Sequence, residues 1–560
     1  MDIQLNPNEI IKAESNFLRG TLKQSIQDEL TGALSAEDAQ ISKFHGFYEQ
    51  DDRDSRLLRQ SRLLEPDFSF MLRARLPGGV CSARQWLAID SISKRLGNGS
   101  IRLTTRQTFQ YHGIIKRHLK PLIQQINQSM IDSIGGCGDV NRNVMCNPNP
   151  QQSELHAEVY QWARRISEQL LPQTRAYHEI WLDGEKLEQP EQEELYGSNY
   201  LPRKFKTAVA IPPYNDVDIY TNDLGFVAIA EHGKLVGFNV LAGGGMGTTH
   251  GDRSTFPRLA DELGFIAVEN VLKVAEAVVT LQRDEGNRVS RRHARLKYTI
   301  ERLGAERFKQ LLEQRAQLQF KPPHAVTFKH QGDRYGWVQG SDMRWNLTLF
   351  IENGRIEDNQ NSTLMSGLRA IAGIHQGDFR ITPNQNLIIA GIAEEHKPAI
   401  QALVAQFGLC DDSISPLRRN SLACVAFPTC PQAMAEAERY FPQLLDQIEQ
   451  LLAKHQLSQL DPVIRMTGCP NGCARPFVAE IGLVGKGPGR YNLLLGGDGR
   501  GQRLNKLYRE NLNEAGILTT LDALFTQFAQ HALPDERLAD FAIRSGLIRA
   551  VVNPVVDFHE

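Results

Sequence analysis

Four of the eight cysteines fall within 50 residues of one another. Cys424 and Cys430 are separated by five residues in ACVAFPTCP, and Cys469 and Cys473 by three in TGCPNGCARP. Thirty-eight residues lie between the two pairs. Four thiolates from two short segments can surround one metal centre. The Pro and Gly residues beside them force tight turns, which bring backbone N–H groups to the sulfurs. The spacing fits a 4Fe-4S cluster best. Structural zinc more often uses two-residue gaps, and buried, unliganded thiols are the plain alternative. Cys81, Cys137, Cys146 and Cys410 are scattered and read as free thiols.

Basic residues form the second constellation. With a period of two, Arg73 and Arg75 share a face of MLRARL, Arg102 and Arg106 share a face of IRLTTRQ, and Lys204 and Lys206 share a face of RKFKTAV. Arg142 sits in the loop-like NRN, and RRHARLK supplies Arg291, Arg292, Arg295 and Lys297. Each alone suits a solvated surface. Together they suit one cationic pocket for a small, highly charged anion, with Arg as a fork and Lys as a point charge. His112 in QYHGI reads as a packed histidine.

The elements that must position these groups recur. FMLRARL reads as a strand, CSARQWLAIDSISKRL as an amphipathic helix and SIRLTTRQTFQYHGI as a second strand unit. WNLTLFIENGRI, STLMSGLRAIAGIHQ and DFRITPNQNLIIAGI repeat the order. IRLTTRQTFQYHGI (101–114) aligns with FRITPNQNLIIAGI (379–392) at an offset of 278 residues, and NRNVMC is echoed by RRNSLAC one residue closer. Two similar halves imply a duplicated fold with a pseudo-twofold axis and a site where the halves meet. Helices and strands mix throughout, so the class is α/β or α+β.

Composition narrows the function. The 560 residues carry 63 Lys plus Arg against 65 Asp plus Glu, a net charge of −2. That argues against a protein that coats nucleic acid. No stretch reads as a membrane span, and the first residues lack the basic start and apolar core of a signal peptide, so the reducing cytoplasm is expected. The glycine clusters at 243–247, 485–489 and 496–501 all break GxGxxG, and no Walker A sequence appears. An iron–sulfur protein without its own nicotinamide site must receive electrons from another protein.

The cysteine pattern, with RLPGG, SIRLTTRQTFQYHG, NRNVMC, YLPRKFKTAVAIPP and PGRYNLLLGG, resembles the siroheme- and 4Fe-4S-containing sulfite and nitrite reductases from about Glu14 to the C-terminus. The likeness is greatest to the haem-bearing subunits of the NADPH-dependent assimilatory branch. It implies a pseudo-twofold duplicated fold of mixed sheets with flanking helices and cofactors at the interface of the halves. The implied order is a helical arm at 1–65 available for partner contact, ferredoxin-like half-repeats at 66–145 and 345–417, a first siroheme-binding domain at 146–344, and a 4Fe-4S/siroheme-binding domain at 418–560. Cys424, Cys430, Cys469 and Cys473 would bind the cluster, and Cys473 would also be the axial ligand of the siroheme iron. Arg73, Arg142, Lys204 and Lys206 would surround sulfite, while Arg102, Arg106, Arg203 and Lys297 would pair with siroheme carboxylates. The implied reaction is the six-electron reduction of sulfite to sulfide in sulfate assimilation and cysteine biosynthesis. Electrons would come from NADPH through an FAD/FMN flavoprotein subunit in a hetero-oligomer, with no flavin or nicotinamide site in this chain. Reduction of nitrite to ammonia and a haem-free iron–sulfur carrier stand as alternatives.

Overall fold

A computed structural model describes residues 4–185, 190–410 and 413–559. Strands β1 (Phe47–Asp51), β2 (Phe68–Arg73), β3 (Val80–Ser82), β4 (Ile101–Leu103) and β5 (Phe109–Ile114) come first. They are followed by β6 (Thr207–Ala210), β7 (Leu224–Glu231), β8 (Lys234–Ala242) and β9 (Asp261–Ala267). The second half holds β10 (Gly336–Gln339), β11 (Trp345–Leu349), β12 (Arg355–Ile356), β13 (Asp358–Asn359), β14 (Ser362–Thr363), β15 (Asp378–Ile381) and β16 (Leu387–Ile392). It ends with β17 (Ser421–Ala423), β18 (Ile464–Thr467), β19 (Ile481–Gly487), β20 (Arg490–Leu495) and β21 (Lys506–Leu512).

The halves exchange strands. One antiparallel sheet has the order β1-β2-β5-β4-β12 and its counterpart β10-β11-β16-β15-β3. The second half's β12 closes on β4, setting Arg355 opposite Arg102, and the first half's β3 closes on β15, setting Cys81 opposite Phe379. A capping box between Ser82 and Gln85 starts the helix Ala83–Leu96, whose Trp86, Ile89 and Ile92 are buried. Trp86 stacks on Phe379 across the exchange, with ring centroids 4.8 Å apart.

The remaining two sheets also correspond. In β17-β18-β19-β20-β21 the first two junctions are parallel and the last two antiparallel. In β6-β7-β8-β9 one parallel junction precedes two antiparallel ones, and Asn141 and Met145 bridge in parallel to Phe205 and Ala208 where β17 stands in the other half. The echo between NRNVMC and RRNSLAC is therefore a shared strand position. Two large apolar cores result, one beneath the strand-exchanged sheets and one beneath β17–β21.

One boundary differs from the sequence reading. Residues 1–65 include the helices Pro7–Glu14 and Arg53–Ser61, but also β1, which is the edge of the first antiparallel sheet. The first half-repeat thus begins before residue 66. FYEQD lacks a clear two-residue alternation because its buried residues, Phe47 and Gln50, are three apart, which hid the strand in a charged region. No helix among the described residues is long and apolar enough to cross a membrane.

Candidate active site

The cysteines leave one sheet edge. Cys424 follows β17 and Cys469 follows β18, and these strands are parallel neighbours, so both cysteine loops emerge at the same carboxyl edge. The Gly468 N–H donates to Cys424 Sγ at 3.3 Å. A Cβ at Gly468 would lie 2.5 Å from Ala426 Cβ, so the loops approach this closely only because residue 468 has no side chain. The charges of Cys473, Cys430 and Cys469 all reach Cys424. Burial, and then Cys473, push the thiols of Cys424, Cys430 and Cys469 up, the last to about 12. A metal centre supplies the positive charge that turns such a set into thiolates. The donor set fits a multi-iron cluster.

Cys473 faces a second group. It is exposed, and its carbonyl accepts from Thr105 Oγ1 in the β4–β5 turn at 2.9 Å. Its charge is felt by Lys204 and Lys206. These lysines lie on the extended run into β6, with Phe205 buried between them, so the expected two-residue alternation holds just before the strand itself. Asp223 anchors the run by accepting from the Lys206 N–H at 2.9 Å and from Arg295 Nη2 at 2.7 Å. Burial with Arg203 brings Lys204 down to about 7. Burial, then Lys204, pushes Lys206 well below the usual lysine range. Burial, then Arg291, lowers Arg203 to about 10. Arg203, Lys204, Lys206 and Arg295 outnumber Asp223 here, and this excess of positive charge suits an acidic macrocycle and an anionic substrate.

Arg73 and Arg142 complete the wall. With the Gln110 amide turned to satisfy both groups, its oxygen accepts from Arg73 Nε at 3.1 Å and Nη2 at 2.5 Å. Arg73 Nη1 lies 3.5 Å from Cys137 Sγ. The carbonyls of Gly138 and Gly136 accept from Arg142 Nε and Nη1 at 2.9 and 3.2 Å, and Tyr48 of β1 hydrogen-bonds the same guanidinium. Tyr48 and Gln110 were not singled out in the sequence, and Cys137 reads there only as a free thiol. Only the sheet pairing brings Tyr48 across.

Three expected cofactor contacts have other partners. Arg102 donates to Glu438 Oε2 at 2.6 Å and to the Ala423 carbonyl at 3.0 Å, so it braces β4 against the cysteine-bearing segment. Arg106 sits in the turn after β4, not on a strand face, and donates to Asn222 Oδ1 and to the carbonyls of Asn143 and Thr207. Lys297 is fully buried and holds the carbonyls of Gly245, Gly247 and Phe256. It thereby fixes the glycine-rich turn whose Thr248 N–H donates to the Pro470 carbonyl inside the second cysteine loop. Arg75 likewise pairs with Asp132 at 2.6 Å. His112 is packed, as expected.

The pseudo-axis passes between Asp218 and Arg475. Thr207 pairs with Leu224 and Ile464 with Ile481, so both strand pairs are related by 257 residues and Asp218 corresponds to Arg475. The two meet in a buried ion pair that Arg465 joins at 2.7 Å. Arg475 Nη1 and Nη2 donate to the carbonyls of Thr105 and Pro383, themselves symmetry mates, at 2.9 and 3.0 Å. Both Asp218 and Arg475 have left-handed backbones.

Comparison with known proteins agrees with this architecture. The nitrite/sulfite reductase ferredoxin-like half domain matches residues 64–129 and 338–407, and the nitrite and sulphite reductase 4Fe-4S domain matches 161–320. The latter stretch contains no cysteine; the four lie in the corresponding region of the other half. The chain is 61% identical over 561 residues to the sulfite reductase [NADPH] hemoprotein beta-component of Thiocapsa roseopersicina, covering 100% of both chains. It is 58% identical to the protein of that name from Shewanella sp. strain ANA-3, covering 99% of this chain and 98% of the relative. The solved NirA protein of Mycobacterium tuberculosis shares the fold with a TM-score of 0.79 at 24% identity, over 97% of each chain.

Proposed function

The chain belongs to the nitrite and sulfite reductase family, and on that premise we propose that it is the haem-bearing subunit of an NADPH-dependent assimilatory sulfite reductase. The observation that carries this reading is the convergence of the two cysteine loops at the carboxyl edge of β17 and β18, where the Gly468 N–H meets Cys424 Sγ and the Cys473 carbonyl meets Thr105 of the other half. Cys424, Cys430, Cys469 and Cys473 would hold a 4Fe-4S cluster, and Cys473 would also ligate a siroheme iron. When bound, these groups supply the electrons that take sulfite to sulfide, while the protein binds, orients and protonates. The excess of half-buried positive charge at Arg203, Lys204 and Lys206 supports binding of the siroheme carboxylates and of sulfite.

Arg73 and Arg142 present forks to the sulfite oxygens. Tyr48, Gln110 and the carbonyls of Gly136 and Gly138 hold those forks in place. Lys204 and Lys206 attract the anion when charged and hold protons at Nζ for the oxygens that leave as water. Arg102 and Lys297 act one step back, through the cysteine segments.

An external flavoprotein is the proposed electron donor, and the helix Arg53–Ser61 is the proposed contact. Arg53 donates to the carbonyls of Ala433 and Cys430 at 2.7 Å each, so the helix lies on the first cysteine loop. Leu57 and Leu63 on and after it are 80% and 95% exposed. The whole reading is tested by sulfide formation from sulfite with an artificial reductant, by visible siroheme bands, and by kcat/KM for sulfite against nitrite. A preparation with iron–sulfur absorption alone and no sulfide formation would refute it.

A further inference from the structure

The fold's duplication places a cavity at the counterparts of the cysteine and arginine positions. It is lined by Asn147, Gln152, Asp216, Asp333, Thr348 and Ile388, among others. Thr348 pairs with Ile388 in β11 and β16 where Arg73 pairs with Gln110 in β2 and β5, so the same sheet position forms the wall. The 257-residue correspondence that joins Thr207 to Ile464 and Leu224 to Ile481 places Asp216 where the other half has Cys473. Likewise Met145 bridges Ala208 as Leu422 pairs with Arg465, which places Asn147 where the other half has Cys424. Neither corresponding position carries a sulfur, and the arginine of the wall is a threonine.

The charge balance is also reversed. Asp216 is 8% exposed, and its Oδ2 accepts from Asn147 Nδ2 at 2.5 Å while its Oδ1 has no partner among the described residues. The buried Oε1 of Gln152 is also unpartnered. Asp333 accepts only from neutral donors, the side chains of Thr382, Asn384 and Asn386. The exposed Arg334 lies at the same cavity with its guanidinium over the Tyr214 ring at 4.6 Å. Burial, then Asp333, raises the Asp216 carboxyl to about 7, and Arg334 offsets this only in part. Water would satisfy an orphaned oxygen but not the charge.

We propose that this cavity binds a small primary-ammonium compound, whose N–H donors meet Asp216 and Gln152. Free α-amino acids and diamines share that group. An amino acid's carboxylate would in addition engage Arg334.

The test is calorimetric titration of the cofactor-loaded protein with L-alanine, with 1,4-diaminobutane, and with potassium and magnesium salts. Binding of either amine is expected, weakened about tenfold or more in Asp216→Asn because a charge-assisted hydrogen bond is lost. Arg334→Ala should weaken the amino acid and spare the diamine. Asp216→Asn keeps the side chain's shape while removing the carboxyl whose Oδ1 is unpartnered, and should fold about as well as the parent, with its visible spectrum and sulfite turnover retained. No heat with either amine, binding of an inorganic cation alone, or equal amine affinity in Asp216→Asn would overturn the proposal.

Discussion

Replacing Glu438 by Gln should destabilise the protein through two arginines, Arg102 buried and Arg355 half-buried. Glu438 Oε2 and Oε1 accept from Arg102 Nε and Arg355 Nε, each at 2.6 Å, and its side chain is 12% exposed. Burial opposes its charge, but Arg355 and Arg102 outweigh burial and lower the carboxyl from 4.5 to about 2. At about 1.4 kcal/mol per pH unit, that depression corresponds to about 3 kcal/mol of stability at neutral pH. The folded-state pKa is depressed, so this stability is fully present above about 4.5 and is lost as pH falls toward about 2. Urea unfolding of the cofactor-loaded protein should therefore show Glu438→Gln weaker by about 3 kcal/mol at pH 7 and by about 2 kcal/mol near pH 3.5. In an Arg102→Gln, Arg355→Gln background the lone buried carboxylate becomes a burden. The same substitution should then be neutral or stabilising. A gap below about 1 kcal/mol at pH 7, or an undiminished gap in that background, refutes the bracing role.

Three further outcomes follow from the site. Cys473→Ser should lose both iron–sulfur and haem absorption, whereas Cys81→Ser, in the β3–β15 pairing, should keep both; iron analysis and visible spectra decide. Lys204 is charged below about 7 and neutral above it, so affinity for an anion of constant charge such as nitrite should fall as pH rises through that value. Arg203→Gln should move the midpoint of this fall upward, and spectral titration showing an unmoved midpoint would contradict the assignment. Leu57→Asp with Leu63→Asp should impair NADPH-driven sulfite reduction while sparing dye-driven reduction, because both side chains are exposed and neither lines the cavity. Deleting residues 1–65 would not make this distinction, since it also removes β1 and Tyr48.

Much of the fold was legible because it is written twice. The 278-residue echo anticipated two sheets with matching strands, and the structure supplies them, down to the parallel bridges made by Asn141 and Met145. The exchange of β3 and β12 was not legible. A two- or three-residue strand carries no periodicity, and its partner lies in the other half.

The sequence by itself determined the chemistry on offer. The gaps between Cys424, Cys430, Cys469 and Cys473 and the alternation of Lys204 with Lys206 depend on neighbours within a few residues, where backbone geometry constrains placement. Only the tertiary structure decided which cations remain available. Arg102, Arg106 and Lys297 look as free in the sequence as Lys204 does. Their charges are engaged by Glu438, by Asn222 and the carbonyls beside it, and by the carbonyls of the glycine-rich turn. The Glu438 partnership spans 336 residues. Whether a charge is paired or open depends on such long-range neighbours. The same reason explains why Asp216 could not be recognised as the counterpart of Cys473: the 257-residue relation is set by strand register, which local patterns do not reveal.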